Sequence, residues 1–374
     1  MEFGLSEEQL LIQESFRGTL ERLVNLDSIR AVSNGAQSMD KTLFAELADL
    51  GMAGLLIDEE EGGTGLTLFD AAIVAMELGR SIAPVPFAAT AVMAPLALKL
   101  AGSDAQRKEW LPKIAAGEII VGMALSDAIH GAKRGASVTA HNNKLSGQTS
   151  FALDTAEADA LIIADTESNL YLVSTDALGL ECTHMPSIDG TRPLTDIILK
   201  DVAAEPLGNG GKVHITEIIN AGRVILAAES FGASEEMLSR AVDYAKERRQ
   251  FDRAIGSFQA VKHLCAEMAA ELQPCQALIW YAAYAFDSLP EEAELSGLLA
   301  KSHMDEIGRF VARTATEVHG GMGYTDLMGL HFWFKRIGFN RAQLGGPEKL
   351  RALAASLQGL TGSSATSHQT AAAR

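Results

Sequence analysis

Two clusters in the last third of the chain carry residue types suited to a phosphate-bearing ligand. The first, ERRQFDRAIGSFQAVKH, sets Arg248, Arg249, Phe251, Arg253 and Gln259 around a helix break. The second, EVHGGMGYTD, places Gly320, Gly321 and Gly323 beside His319 and Tyr324. An arginine fork matches phosphate oxygens, and glycines let a backbone approach a ligand closely. Each signal also has a plainer reading. Arginines at a helix end answer its dipole, a glycine pair makes a turn, and a lone histidine is commonly structural.

Other chemistries are absent from the sequence. There is no GxxxxGK(S/T), no GxGxxG after a strand, no HExxH and no GxSxG. The three cysteines, Cys182, Cys265 and Cys275, have neither metal-ligand spacing nor an even count for disulfides, so no metal site and a reducing, cytoplasmic compartment are expected. A formal net charge of -17 excludes a nucleic-acid binder, which needs clustered cations. The opening MEFGLSEEQLLIQESFR carries acids where a signal peptide needs cations, and no apolar run reaches membrane-spanning length.

The elements that must position the two clusters fall into three textures. Residues 1–120 read as helices. SEEQLLIQESFRGTLERLV has apolar residues at helical spacing behind Ser6 as N-cap, and EEEGGTGLT reads as a loop between later helices. Over 121–215, KLSGQTSFAL, ADALIIAD, NLYLVSTD and TDIILKDV are short β-branched runs that predict antiparallel strands. Over 216–360 the helical period returns. One proline-free stretch runs from Thr216 to Phe251, and a second follows a break at Ile255–Gly256 with Ser257 as its expected N-cap. The small, polar 361–374 reads as a disordered tail.

In this order, the stretches resemble the acyl-CoA dehydrogenase family of flavoproteins over roughly residues 1–355. RRQFDRAIGSFQAVKH is similar to the family's R-x-x-F-G…FQ motif, and EVHGGMGY to its Q-x-x-G-G-x-G-(Y/F) motif. LADLGMAGLLIDEEEGGTGLTLFDAAIVAMELGR and WLPKIAAGEIIVGMA look like further family stretches. The resemblance implies an α+β fold: an N-terminal helical domain, a middle antiparallel β-domain and a C-terminal four-helix bundle. It also implies a tetramer with FAD lying between subunits. The implied reaction is α,β-dehydrogenation of an acyl-CoA, in which a glutamate takes the α-proton while the cofactor takes the hydride.

Carried over residue by residue, the resemblance divides. The contacts that a neighbour makes to the FAD pyrophosphate and adenosine match at Arg248, Phe251, Gln259, Gly320 and Gly321, with Glu317 standing where the family has glutamine. The half that cradles the flavin ring within one subunit is altered. In SDAIHGAK, Ser126 and Gly131 match, but Ala132 and Lys133 replace a Ser-Asp pair, and in FAL, Leu153 replaces a hydroxyl. The two family positions for the catalytic glutamate fall on Leu344 and Gly222, and neither can accept a proton.

Two readings follow from the resemblance. One is a homotetrameric dehydrogenase with a relocated base, for which Glu229 and Glu217 are candidates, although an acid on a long helix is more often solvated or ion-paired. The other, which the pattern of kept and lost residues favours, is a subunit without its own base. Its partner would be a homologous catalytic subunit in an α2β2 heterotetramer that binds most of the acyl-CoA, as in bacterial members acting on steroid side chains. A flavin-free scaffold gives no reason for Arg248, Phe251 and Gln259 to stand at motif spacing.

Overall fold

The computed structural model describes residues 4–130, 137–208 and 212–360. Gly131, Ala132 and Lys133 of the middle-domain signature, and the 361–374 tail, lie outside the described residues.

The N-terminal layer is helical: α1 (Glu7–Leu23), α2 (Leu26–Ser33), α3 (Lys41–Asp49), α4 (Leu68–Ser81), α5 (Ala94–Ala101) and α6 (Asp104–Ala115). Ser6 caps α1 as expected. Its Oγ accepts from Gln9 N while the Gln9 side chain accepts from Ser6 N, so two otherwise orphaned donors are satisfied. Between α4 and α5 the chain makes a π-helical turn, Ala88–Met93, in which Ala89 N donates to Asp154 Oδ2 at 2.8 Å.

The middle domain comprises β1 (Val121–Ala124), α7 (Ser126–His130), β2 (Ser137–His141), β3 (Lys144–Ala152), β4 (Ala160–Ala164), β5 (Leu170–Ser174), β6 (Leu180–Met185), β7 (Leu194–Ala203) and β8 (Glu205–Pro206). These strands form two four-stranded sheets, in the orders β1-β4-β5-β8 and β2-β3-β7-β6. Pairing is antiparallel as expected, except that β1 runs parallel to β4. Both of those strands are buried along their whole length, so they show no alternation that would betray direction. A bridge between Met123 and Leu153 stitches the two sheets together, with N···O distances of 3.0 and 2.8 Å. Just before it β3 slips register between Thr149 and Ala152, and Phe151, at φ +60°, turns outward.

The third layer contains α8 (Lys212–Glu247), the two-residue strands β9 (Arg249–Gln250) and β10 (Arg253–Ala254), then α9 (Gln259–Ser288), α10 (Pro290–His319), α11 (Leu330–Ala342) and α12 (Pro347–Leu357). Helices α8–α11 make the expected bundle, and α12 packs on α10. Helix α8 is the central shaft. Ile218, Ile219, Ala221, Val224, Ile225, Leu226, Ala227, Ala228 and Phe231 are all buried, and α4 packs along it from the N-terminal layer. The predicted cap of α9 is displaced: the helix starts at Gln259, and the Ser257 hydroxyl instead bonds back to Ala254 O at 2.7 Å. Among the described residues no helix is long and apolar enough to cross a membrane, and no cluster of His, Cys, Asp or Glu could hold a metal.

Candidate functional site

The candidate residues sort into a surface group and a buried group. Arg248 directly follows α8, Phe251 tips the β9–β10 hairpin, and Gln259 opens α9; all are exposed, Phe251 at 87%. The hairpin turn is unusual. Phe251 and Asp252 have φ of +52° and +61°, the left-handed region that hairpin turns usually fill with glycine or asparagine. Aspartate thus stands where the motif carries glycine, and Arg249 steadies the turn by donating to Asp252 O at 2.8 Å. Arg248 has no ion-pair partner among the described residues, which leaves its fork free.

The glycine turn at the end of α10 is tied to the last part of α8 through His319 and Tyr244. Gly320 takes φ +58°, and a Cβ built on Gly320 or Gly321 meets nothing within 4 Å, so both backbones stand open to an incoming group. Behind them His319 is 2% exposed and stacks on Tyr244 of α8, ring centroids 4.6 Å apart. Its Nδ1 donates to Ala315 O at 2.7 Å, and burial pushes its pKa below the ordinary imidazole value. His319 is therefore a structural link between α8 and the glycine turn rather than a ligand. Glu317 is exposed and unpaired among the described residues.

The buried group surrounds a cavity of about 290 Å³ between the middle domain and the C-terminal helices. Met93, Met123, Leu125, Leu153 and Leu344 form its inner wall, all 5% exposed or less. Phe151, Ile188 and Ala342 rim its mouth. Ser126 is present, but its hydroxyl is spent on Ser150 O. No Asp, Glu, His, Lys or Arg is among the described residues lining it.

The two would-be base positions, 122 residues apart in sequence (344 − 222), meet at this wall. A Cβ placed on Gly222 would lie 2.6 Å from Leu344 Cδ1 and 2.7 Å from Met93 Sδ. Leu344 is held there in a left-handed conformation, φ +56°, by Arg223 Nε donating to its carbonyl at 3.0 Å. Two apolar side chains therefore fill the space before Gly222.

Neither alternative acid reaches the cavity. Glu229 is locked in a buried network. Arg192 Nη2 donates to its Oε1 at 2.7 Å, Arg336 Nη1 to the same oxygen at 2.6 Å, and Asn340 Nδ2 to Oε2 at 3.0 Å. Arg192 also binds Asp154 at 2.8 Å, while Arg336 binds Asp189 and Thr191. Although burial alone would raise the Glu229 pKa, the two guanidinium groups pull it below the ordinary glutamate value. An ionised carboxylate so held is a poor proton acceptor. Glu217 is half-exposed, with His214 Nδ1 3.9 Å from its carboxylate.

The sequence did not point to Met93, Phe339 or Gln343 in the cavity wall. They come from distant segments with no shared motif, and only the fold brings them together.

The comparisons with known proteins now have geometry to stand on. The model of the acyl-CoA dehydrogenase N-terminal domain matches residues 6–118, and that of the C-terminal domain matches 208–356. The chain belongs to the acyl-CoA dehydrogenase family. Its members are FAD-dependent oxidoreductases acting on CH–CH bonds. The chain is similar to acyl-CoA dehydrogenase IpdE2 of Mycolicibacterium smegmatis, at 31% identity over 354 residues, covering 94% of this chain and 99% of the relative. Among solved structures it resembles one titled as a Tcur3481-Tcur3483 steroid ACAD variant, with TM-score 0.86, 28% identity, and 94% and 98% of the two chains covered. It shares its fold with the ChsE4-ChsE5 complex from Mycobacterium tuberculosis, with TM-score 0.88, 24% identity, and 97% and 100% covered.

As an acyl-CoA dehydrogenase fold, the chain fits the family cofactor on one side only. The free Arg248 fork, the projecting Phe251 and the open glycine backbones have the chemistry to meet the phosphates and adenosine of a dinucleotide. The cavity fits a flavin ring poorly. The ring carries several polar atoms along one edge, while the described wall is mostly apolar, with Leu153, Met123 and Leu344, its polar side chains being Ser126, Ser187 and Gln343; each hydrogen bond left unmade loses about 1–3 kcal/mol.

Proposed function

We propose that this chain is a subunit of an FAD-dependent acyl-CoA dehydrogenase that completes the cofactor site of a homologous catalytic partner and supplies no base of its own. The observation that carries this reading is the packing of Leu344 and Met93, both in the cavity wall, over Gly222. Both positions from which the family draws its glutamate are apolar and packed against each other. The partner provides the carboxylate and most of the acyl-CoA contacts, and the bound FAD takes the hydride. This chain contributes Arg248 to the pyrophosphate, Phe251 and Gln259 to the adenosine side, and the Gly320–Gly321 backbone where the cofactor passes between subunits.

An α2β2 assembly follows from that division of labour. Its support is the contrast between an intact surface half-site and an altered internal one, together with a solved relative whose title joins two components. That relative's title calls it a steroid ACAD, so the acyl group we favour is a steroid-derived thioester. Free cysteines at 182, 265 and 275 suit the cytoplasm as the compartment.

The test is to assay the chain alone, and then with a homologous dehydrogenase from the same genome, against acyl-CoA thioesters. The lone chain should be inactive and the pair active. Replacing the partner's catalytic glutamate should abolish all turnover. Robust oxidation by the lone chain would overturn the reading.

A further inference from the structure

Buried cations in this molecule are matched by acids, with one exception. Among the described residues the buried Arg and Lys side chains are Arg192, Arg223, Lys301 and Arg336. Arg192 binds Asp154 and Glu229, Arg336 binds Asp189 and Glu229, and Lys301 holds Asp305 within α10 at 2.6 Å. Arg223 of α8 is 5% exposed, and its one hydrogen bond among the described residues runs from Nε to the Leu344 carbonyl at 3.0 Å. The N–H groups of Nη1 and Nη2 have no protein acceptor there, and no acid pairs with the charge. A buried cation left in that state is unfavourable. Burial pulls its pKa down to about 10, opposed only by Glu294 from beyond ion-pair reach.

The unmatched fork faces the connection between α11 and α12. A Cβ built on Gly345 would lie 3.9 Å from Arg223 Nη2, and Gly345 takes φ +103°, which reserves the position for glycine. Helix α12 begins directly after, with Gly346, which has no side chain to offer, as its N-cap. A helix N-terminus carries partial positive charge and unused N–H donors, so it presents the same sign as the fork beside it. Glu348 is close, its Oε2 3.6 Å from a Cβ built on Gly346, but it is drawn to Arg341 at 3.3 Å. Arg223 does not line the cavity against the middle domain, and its two free nitrogens are not fully enclosed.

We propose that the Arg223 fork and the Gly345–Gly346 connection form a binding site for a small oxyanion, either a carboxylate or an inorganic sulfate or phosphate. Two oxygens of the anion meet Nη1 and Nη2 side by side, the arrangement a guanidinium is shaped for. The same anion faces the start of α12 and ties that helix to α8. Its presence steadies the connection that carries Leu344, whose carbonyl Arg223 already holds. The site needs neither flavin nor partner, so it stands apart from the division of labour between subunits.

The experiment titrates the full chain by calorimetry with sodium sulfate and, separately, sodium acetate, in chloride buffer at fixed ionic strength. At least one should bind saturably at one anion per chain, and the tighter of the two identifies the class of oxyanion. Arg223→Gln removes the charge and half the fork, and should weaken that binding at least about tenfold, as loss of a charge-assisted hydrogen bond implies. Arg351→Gln, on the half-exposed side of α12, should leave it unchanged. A crystal structure of the unaltered chain with the tighter anion should place it within hydrogen-bond reach of Nη1 and Nη2, so a misfolded Arg223 variant leaves the question answerable. No saturable binding of either anion, binding indifferent to Arg223→Gln, or an anion seated only elsewhere would overturn the proposal. A lone chain that carries FAD or oxidises acyl-CoA would sink the subunit reading and leave this site untouched.

Discussion

Arg248 and Glu229 carry opposite lessons about charge in this molecule. Arg248 is exposed and makes no ion pair among the described residues, so its removal leaves the folded chain nearly unchanged. In the assembled enzyme, Arg248→Ala should lose a charge-assisted phosphate contact of about 1.5–3 kcal/mol, read as faster FAD loss on dilution with an unaltered melting temperature. Glu317 should act in the reverse sense. An exposed acid near a phosphate opposes binding weakly, so Glu317→Gln should improve FAD retention by a few-fold at most, about 0.2–1 kcal/mol. Retention that moves with neither change would count against the surface half-site. Glu229 is 3% exposed and answers two arginines, so Glu229→Gln should destabilise the chain by about 3–5 kcal/mol, measured by denaturant unfolding. Its pKa is depressed in the folded state, so the stability it contributes is complete above the ordinary glutamate value of 4.5 and is lost as pH falls through the lower folded value. The variant should therefore show a flatter loss of stability below that pH. If Glu229 were instead a relocated base, the substitution would abolish turnover and spare stability.

At the scale of elements, α8 joins the two halves of the account. Gly222, in its first third, lies behind the cavity wall, and Arg248, just past its end, is exposed. A glycine inside a helix ordinarily weakens it, and replacement by alanine should gain about 0.5–1 kcal/mol. Here the added Cβ would meet Leu344 and Met93 well inside contact distance, and overpacking of this kind loses about 1–3 kcal/mol. Gly222→Ala should thus be net destabilising, and Leu344→Ala in the same chain should recover part of the loss. A double-mutant cycle with no coupling between them would show that the two positions do not share one space. Much of this element was legible beforehand. The proline-free helical run predicted α8, and the family resemblance put the two expected base positions at Gly222 and Leu344. The sequence could not show that Leu344 and Met93 close over Gly222, nor that Glu229 is gripped by Arg192 and Arg336 from two other segments. Ser257 misled as a cap because its hydroxyl had a nearer acceptor in Ala254 O. The parallel pairing of β1 with β4 was hidden by burial on both faces.

On the scale of the whole molecule, the exposed Arg248, Phe251 and Gln259 stand apart from a cavity whose described lining is mostly apolar and holds no carboxylate. The domain order read from helical, strand and helical textures stands in the fold, and the resemblance stands in the family match across both helical domains. The division between subunits rests on side chains that meet only in three dimensions. It is tested most directly by counting flavin in the assembly. The chain should be co-expressed with its homologous partner, the complex isolated, and its mass and bound FAD measured. The account predicts a heterotetramer with one FAD for each pair of unlike chains, and a colourless product when this chain is expressed alone. One FAD per chain, or a yellow homotetramer formed by this chain without a partner, would contradict it.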